Sequence, residues 1–82
     1  METRTHAEKV AAEVRASLAR SGMPQSDLAQ ATGMSNASLS RKLKGRQPFY
    51  LDELMMIAPI LGTSASALVA AAERVGTEQV SA

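Results

Sequence analysis

Apolar residues recur every three or four positions along most of this chain, and each run is closed by a glycine. Ala7, Val10, Ala11, Val14 and Leu18 make the first stripe, with Glu8, Lys9, Glu13 and Arg15 on the wet side. That period predicts an amphipathic helix. Thr5-His6-Ala7-Glu8 has the form of a capping box, in which two orphan amides are satisfied reciprocally, and Ser21-Gly22 closes the helix. A short second helix is predicted from about Gln25 to Thr32, turning Leu28 and Ala29 inward and ending at Gly33. Met34 tucks into the turn, and Ser35 is suited to cap the next helix. That third helix spans about Asn36 to Lys44, with Leu39 and Leu43 one turn apart on its buried face, and Gly45 terminates it.

Arg46-Gln47-Pro48-Phe49 reads as loop, with Phe49 as its apolar anchor. Helix four is predicted over Leu51 to Leu61, burying Leu51, Leu54, Ile57, Ala58 and Leu61, with Met55-Met56 at the core edge. Pro59 removes one backbone hydrogen bond and should bend it. Gly62 closes it, and Ser64 caps an Ala-rich fifth helix, about Ala65 to Val75, with Leu68 inward. Gly76 is expected to end that helix, leaving residues 77–82 as a flexible tail. No segment alternates as a strand would, and no repeat or linker divides the chain. The reading is all-α, one domain over residues 1–76.

Composition narrows this little. Much Ala, one Phe, one Tyr and no Trp favour helix over sheet. The absence of cysteine excludes disulfides and thiolate metal sites. No apolar run approaches the ~20 residues of a membrane span, and the N-terminal METRTHAEK has no apolar segment fit for a secretory signal. A cytoplasmic, nucleoid-associated protein without a membrane partner is expected.

Charge changes the picture more. The net charge is only +1, but it is unevenly spread. Residues 1–35 balance four bases against four acids, whereas Asn36 to Tyr50 carries Arg41, Lys42, Lys44 and Arg46 and no acid. Beyond Tyr50, Arg74 alone faces Asp52, Glu53, Glu73 and Glu78. The basic block coincides with the third helix and its exit, where a basic block suits a polyanion. Other chemistry is not in view. His6 stands alone near the chain end, and the carboxylates fall on outer helical faces without pairing for acid–base work. No Gly-rich phosphate loop occurs. Asn36-Ala37-Ser38 matches a glycosylation sequon by coincidence, there being no secretory signal. No enzyme, metal or cofactor is expected.

Two helices joined by a short glycine-containing turn form a helix-turn-helix unit, here about residues 25–44. Over Gly22 to Leu68 the landmarks are more specific: Gln25 opening the second helix, Leu28-Ala29, Gly33 in the turn, Leu39, Gly45, Leu54, Ile57-Ala58 and Leu61-Gly62. This stretch resembles the phage-repressor and Cro-like helix-turn-helix family, also called the XRE family. Ala29 must be small where two helices cross. Gly33 must take a positive backbone angle that costs other residues about 1–2 kcal/mol. Three positions depart from the pattern. Pro24 replaces the usual capping Ser or Thr, predicting an irregular start to helix two. Thr32 and Lys42 stand where apolar residues are common, and Leu43 can supply the contact Lys42 lacks.

The resemblance implies a compact five-helix, lambda-repressor-like DNA-binding domain whose third helix enters the major groove. By position, Asn36, Ala37, Ser38 and Arg41 would face base edges. Their chemistry suits adenine, the thymine methyl and guanine. Gln25, Ser35, Lys42, Lys44 and Arg46 would hold backbone phosphates. The plain alternatives are a solvated helix start for Asn36 and Ser38, and an ordinary surface lysine for Lys42. The implied function is sequence-specific transcriptional regulation on double-stranded DNA, as a phage or prophage repressor acting by operator occupancy. The alternatives are an antitoxin that binds a toxin and its own promoter, or an accessory factor in phage DNA recombination. A homodimer is expected through Val69 and Val75, which lack obvious core partners; the alternative packs them on helix one.

Overall fold

Local sequence signals decide where each helix begins and ends. The structure, a computed structural model, describes residues 5–81, with side chains as far as 74. Among these residues are five helices and no strand: α1 (His6–Ser21), α2 (Gln25–Thr32), α3 (Asn36–Leu43), α4 (Leu51–Ile60) and α5 (Ala65–Ser81). The capping box of α1 forms as expected. Thr5 Oγ1 accepts from the Glu8 N–H at 3.1 Å, and Glu8 Oε1 accepts from the Thr5 N–H at 2.8 Å. Ser35 Oγ caps α3 through the Ser38 N–H at 3.1 Å, and Ser64 Oγ caps α5 through the Ala67 N–H at 3.1 Å.

Several expectations need correcting. The start of α2 is regular. Pro24 is extended (φ −65°, ψ 148°), and its carbonyl accepts from the N–H groups of Asp27 and Leu28. Proline's fixed φ suits that N-cap geometry, although it supplies no side-chain cap. Pro59 falls in the last turn of α4, which ends at Ile60 with Leu61 as its C-cap rather than running through Leu61. Helix α5 does not end at Gly76 but continues to Ser81. A glycine costs a helix only about 1 kcal/mol relative to alanine, and no proline follows it. The expectation for Val75 falls on a side chain outside the described residues.

The core gathers one stripe from every helix. Val14, Leu28, Leu39 and Ile57 are fully buried, ringed by Leu18, Ala29, Leu43, Leu54, Ala58, Leu61 and Leu68. Met34, Phe49 and Val69 pack against this cluster from the side. Val69 thus has core partners on one side and is half-buried, so it is not the unpartnered residue on which a C-terminal dimer surface was expected. The chain turns by 103° between α4 and α5, which lays α5 chiefly along α1. Leu51 is 63 % exposed rather than buried, and Met55 and Met56 are 61 % and 44 % exposed. The reason is rotational. Leu54, Ala58 and Leu61 share one arc of α4, and Leu51 lies at its margin and at the open end of the helix, with Met55 further round. No single helix among the described residues is long and apolar enough to cross a membrane.

Candidate nucleic-acid interface

Helix α3 is amphipathic over only eight residues, so its two faces separate sharply. Leu39 and Leu43 anchor it on the core. At 100° per residue, Asn36, Ser40, Lys44, Ala37 and Arg41 fall in that angular order on one outward arc. Asn36, Ala37, Arg41 and Lys44 are exposed, and Ser40 is half-buried. Ser38, expected among the base readers, is half-buried at the far margin of this arc, about 200° round from Asn36. Ser35 is exposed. Its oxygen accepts from Ser38, leaving its own hydroxyl hydrogen free to donate.

The exit from α3 is built tightly. Gly45 has φ +78°, and the N–H groups of Gly45 and Arg46 close onto the carbonyls of Lys42 and Arg41 at 3.1 and 3.0 Å. These are the two bonds of a Schellman motif. This turn holds Lys44 and Arg46 exposed just beyond the reading helix. A Cβ at Gly45 would lie 3.2 Å from Glu8 Cα, so the turn also rests against the first turn of α1. Thr32, where an apolar residue was expected, folds its hydroxyl back onto the carbonyls of Leu28 and Ala29 at 2.9 and 3.2 Å.

Lys42 is not where a phosphate contact must be. It is only 6 % exposed. Its stem lies on the apolar side of α3, and its ammonium pairs with Glu53 of α4 and sits 4.5 Å from the centroid of the Tyr50 ring. The other oxygen of Glu53 accepts from the Tyr50 N–H at 2.8 Å. An amphipathic side chain can replace a leucine in this way, burying its methylenes and delivering its charge to a partner. The cation is neutralised locally, so Lys42 leaves the phosphate-binding set.

Two residues that sequence reasoning missed belong near the interface. Arg15, assigned to the wet side of α1, donates through Nη1 to the carbonyl of Leu43 at the C-terminus of α3. Ser40 lies within the outward arc. The i, i+4 spacing of Ser40 from Asn36 and Lys44 was the available signal for the second. Nothing in the sequence signalled the first, which spans 28 positions.

Two short helices joined through the glycine turn at Gly33, the second presenting a basic, acid-free arc, have the form of a helix-turn-helix DNA-binding domain. The model of the Cro/C1-type helix-turn-helix DNA-binding domain matches residues 13–70, and the chain belongs to that family. Two crystal structures of the clp gene regulator ClgR from Corynebacterium glutamicum have the same fold. One aligns with a TM-score of 0.88 at 24 % identity, covering 98 % of this chain and 85 % of ClgR. The other aligns with a TM-score of 0.82 at 25 % identity, covering 88 % and 92 %. No curated protein sequence matches the chain.

Proposed function

We propose that this domain is a sequence-specific transcriptional regulator, a repressor of the phage type that acts by occupying its operator. The observation that carries this reading is the outward arc of α3, exposed at Asn36, Ala37 and Arg41 while Leu39 and Leu43 hold the helix onto the core. Asn36, Ala37 and Arg41 read base edges in the major groove, with Ser38 reaching in from the margin. Asparagine is suited to bridge adenine, arginine to bridge guanine, and alanine to touch the thymine methyl. Gln25, Ser35, Lys44 and Arg46 fix the register on the backbone, since phosphate contacts position and base contacts specify.

Two copies of the chain bind together, one per half-site. A two-fold operator demands a self-complementary surface. The exposed apolar stripe Leu51, Met55 and Pro59 along α4, facing Ala65 and Val69 across an open groove, supplies the candidate. This moves the expected dimer surface from the end of α5 to the α4–α5 groove. The test is selection of bound sites from random duplex DNA, followed by affinities for the selected and for scrambled duplexes. A two-half-site consensus bound at least about 10³-fold more tightly than scrambled duplex, the lower bound for specific readers, is expected. Failure to enrich any sequence would overturn the reading of α3 as a base reader.

A further inference from the structure

Between α1, the start of α2 and the end of α3 lies an open groove of about 420 Å³. Four polar side chains reach it from three helices: Arg15 from α1, Gln25 from α2, and Ser40 and Lys44 from the C-terminal half of α3 and its cap. No carboxylate lines it among the described residues. Most of its lining is apolar, from Leu18, Ala19, Met23 and Leu43. An anion entering it meets low-dielectric walls on one side and, on the other, two cations beside the amide of Gln25 and the hydroxyl of Ser40, each able to donate. Arg15 is oriented there. One guanidinium nitrogen is spent on the Leu43 carbonyl, and the remaining N–H groups of its rigid fork are left for another acceptor. The α2 N-terminus, which has no side-chain cap, opens on the same groove through Gln25.

The groove also has a fixed relation to the reading face. Ser40 and Lys44 belong both to its wall and to the outward arc of α3, so a strand lying against that arc passes over the groove at its edge. We infer that this groove is a composite binding site for a single backbone phosphate of duplex DNA, with Arg15 as its second cation beside Lys44. The inference rests on the DNA-binding reading and adds a residue of α1 to it. It also gives the bond from Arg15 to Leu43 a purpose beyond capping: the group that holds the end of the reading helix would hold the backbone beside it, which fixes the distance between them.

The experiment measures the affinity of the full chain for a random-sequence duplex across a range of NaCl concentrations, for the wild type, Arg15→Met and Arg15→Lys. Circular dichroism and thermal unfolding are recorded alongside. Each phosphate contact contributes about 0.9 to the slope of log affinity against log salt. Arg15→Met is expected to lower that slope by about this amount and to weaken binding most at low salt. Arg15→Lys, which keeps the charge, should retain the slope whatever it does to stability. An unchanged slope in Arg15→Met would reduce Arg15 to a cap on α3 and overturn the proposal. So would Arg15-dependent stabilisation by inorganic phosphate, compared with chloride at equal ionic strength, if the DNA slope did not move; the groove would then be a site for the free anion. Failure of the wild type to bind any duplex at low salt is a separate result, which would remove the DNA-binding reading itself.

Discussion

At the scale of single residues, the interface separates charges that face solvent from one that does not. Arg41 is exposed on the outward arc and no core atom depends on it. Arg41→Ala should therefore leave the fold intact and cost about tenfold or more on the selected site, or roughly 1.4 kcal/mol. On scrambled duplex it should cost much less. Equal losses on both would make Arg41 a phosphate clamp. Lys42 calls for the opposite experiment. Glu53→Ala strands a buried ammonium and should destabilise by up to about 3 kcal/mol, the low end for breaking a buried pair, because part of the Glu53 side chain, 17 %, stays in water. Lys42→Met keeps the stem but leaves Glu53 without its cation. Urea unfolding should find a loss smaller than for Glu53→Ala, because Glu53 is partly in water and still accepts from the Tyr50 N–H, with the salt slope of DNA binding unchanged. These two residues also mark where the sequence misleads. In a basic block, a lysine paired eleven positions away is indistinguishable from a free one until the chain folds.

At the scale of elements, the chain announces its helices well because each carries its own start and stop. The Thr5 capping box, the Ser35 and Ser64 caps and the glycine stops are local chemistry, readable without knowing any tertiary contact. What could not be read is what each element meets. Leu51 and the Met55-Met56 pair satisfy the helical period yet remain exposed, because no neighbouring element covers that side of α4. Gly76 looks like a stop and is passed through. Gly45 was legible as a terminator but not as the point where the α3 exit rests on α1. Gly45→Ala should show both roles. The left-handed backbone alone costs about 1–2 kcal/mol, and the 3.0 and 3.2 Å approaches to Glu8 add to it. Thermal unfolding should register a larger loss than for Gly33→Ala, where the backbone angle is similar but a Cβ meets nothing within 4 Å. Equal losses would mean that α1 gives way freely.

At the scale of the whole molecule, the proposal to test is that the exposed stripe of α4 joins two copies of the chain. Met55→Glu places a charge in the centre of the proposed dimer surface without touching the core, since Met55 is 61 % exposed. Sedimentation should then show the variant as monomer at concentrations where the wild type is dimer. Affinity for a two-half-site duplex should fall towards that for a single half-site. A wild type that is monomeric both free and at one copy per operator would move the apolar stripe out of the DNA-binding account.

The packing of α5 chiefly along α1 has a consequence for how the molecule comes into being. Apart from Arg15 on α1 itself, every DNA-facing residue proposed above lies between these two helices in the chain, and it is α1 and α5 that close on each other. The longest loop in the fold must therefore shut before the reading head gains its full support, and loop closure is an entropic cost met early. On the ribosome, α1 to α4 emerge while the surface of α1 that receives α5 is still bare, the side on which Glu13, Ser17 and Arg20 share a groove with Ala67, Leu68 and Ala71 of α5. A chain stopped after Thr63 keeps every proposed contact to DNA and should still be a poor binder, with amides of α3 exchanging far faster than in the full chain. The proposed DNA binding is then acquired nearly all at once, when α5 clears the exit tunnel and docks on α1.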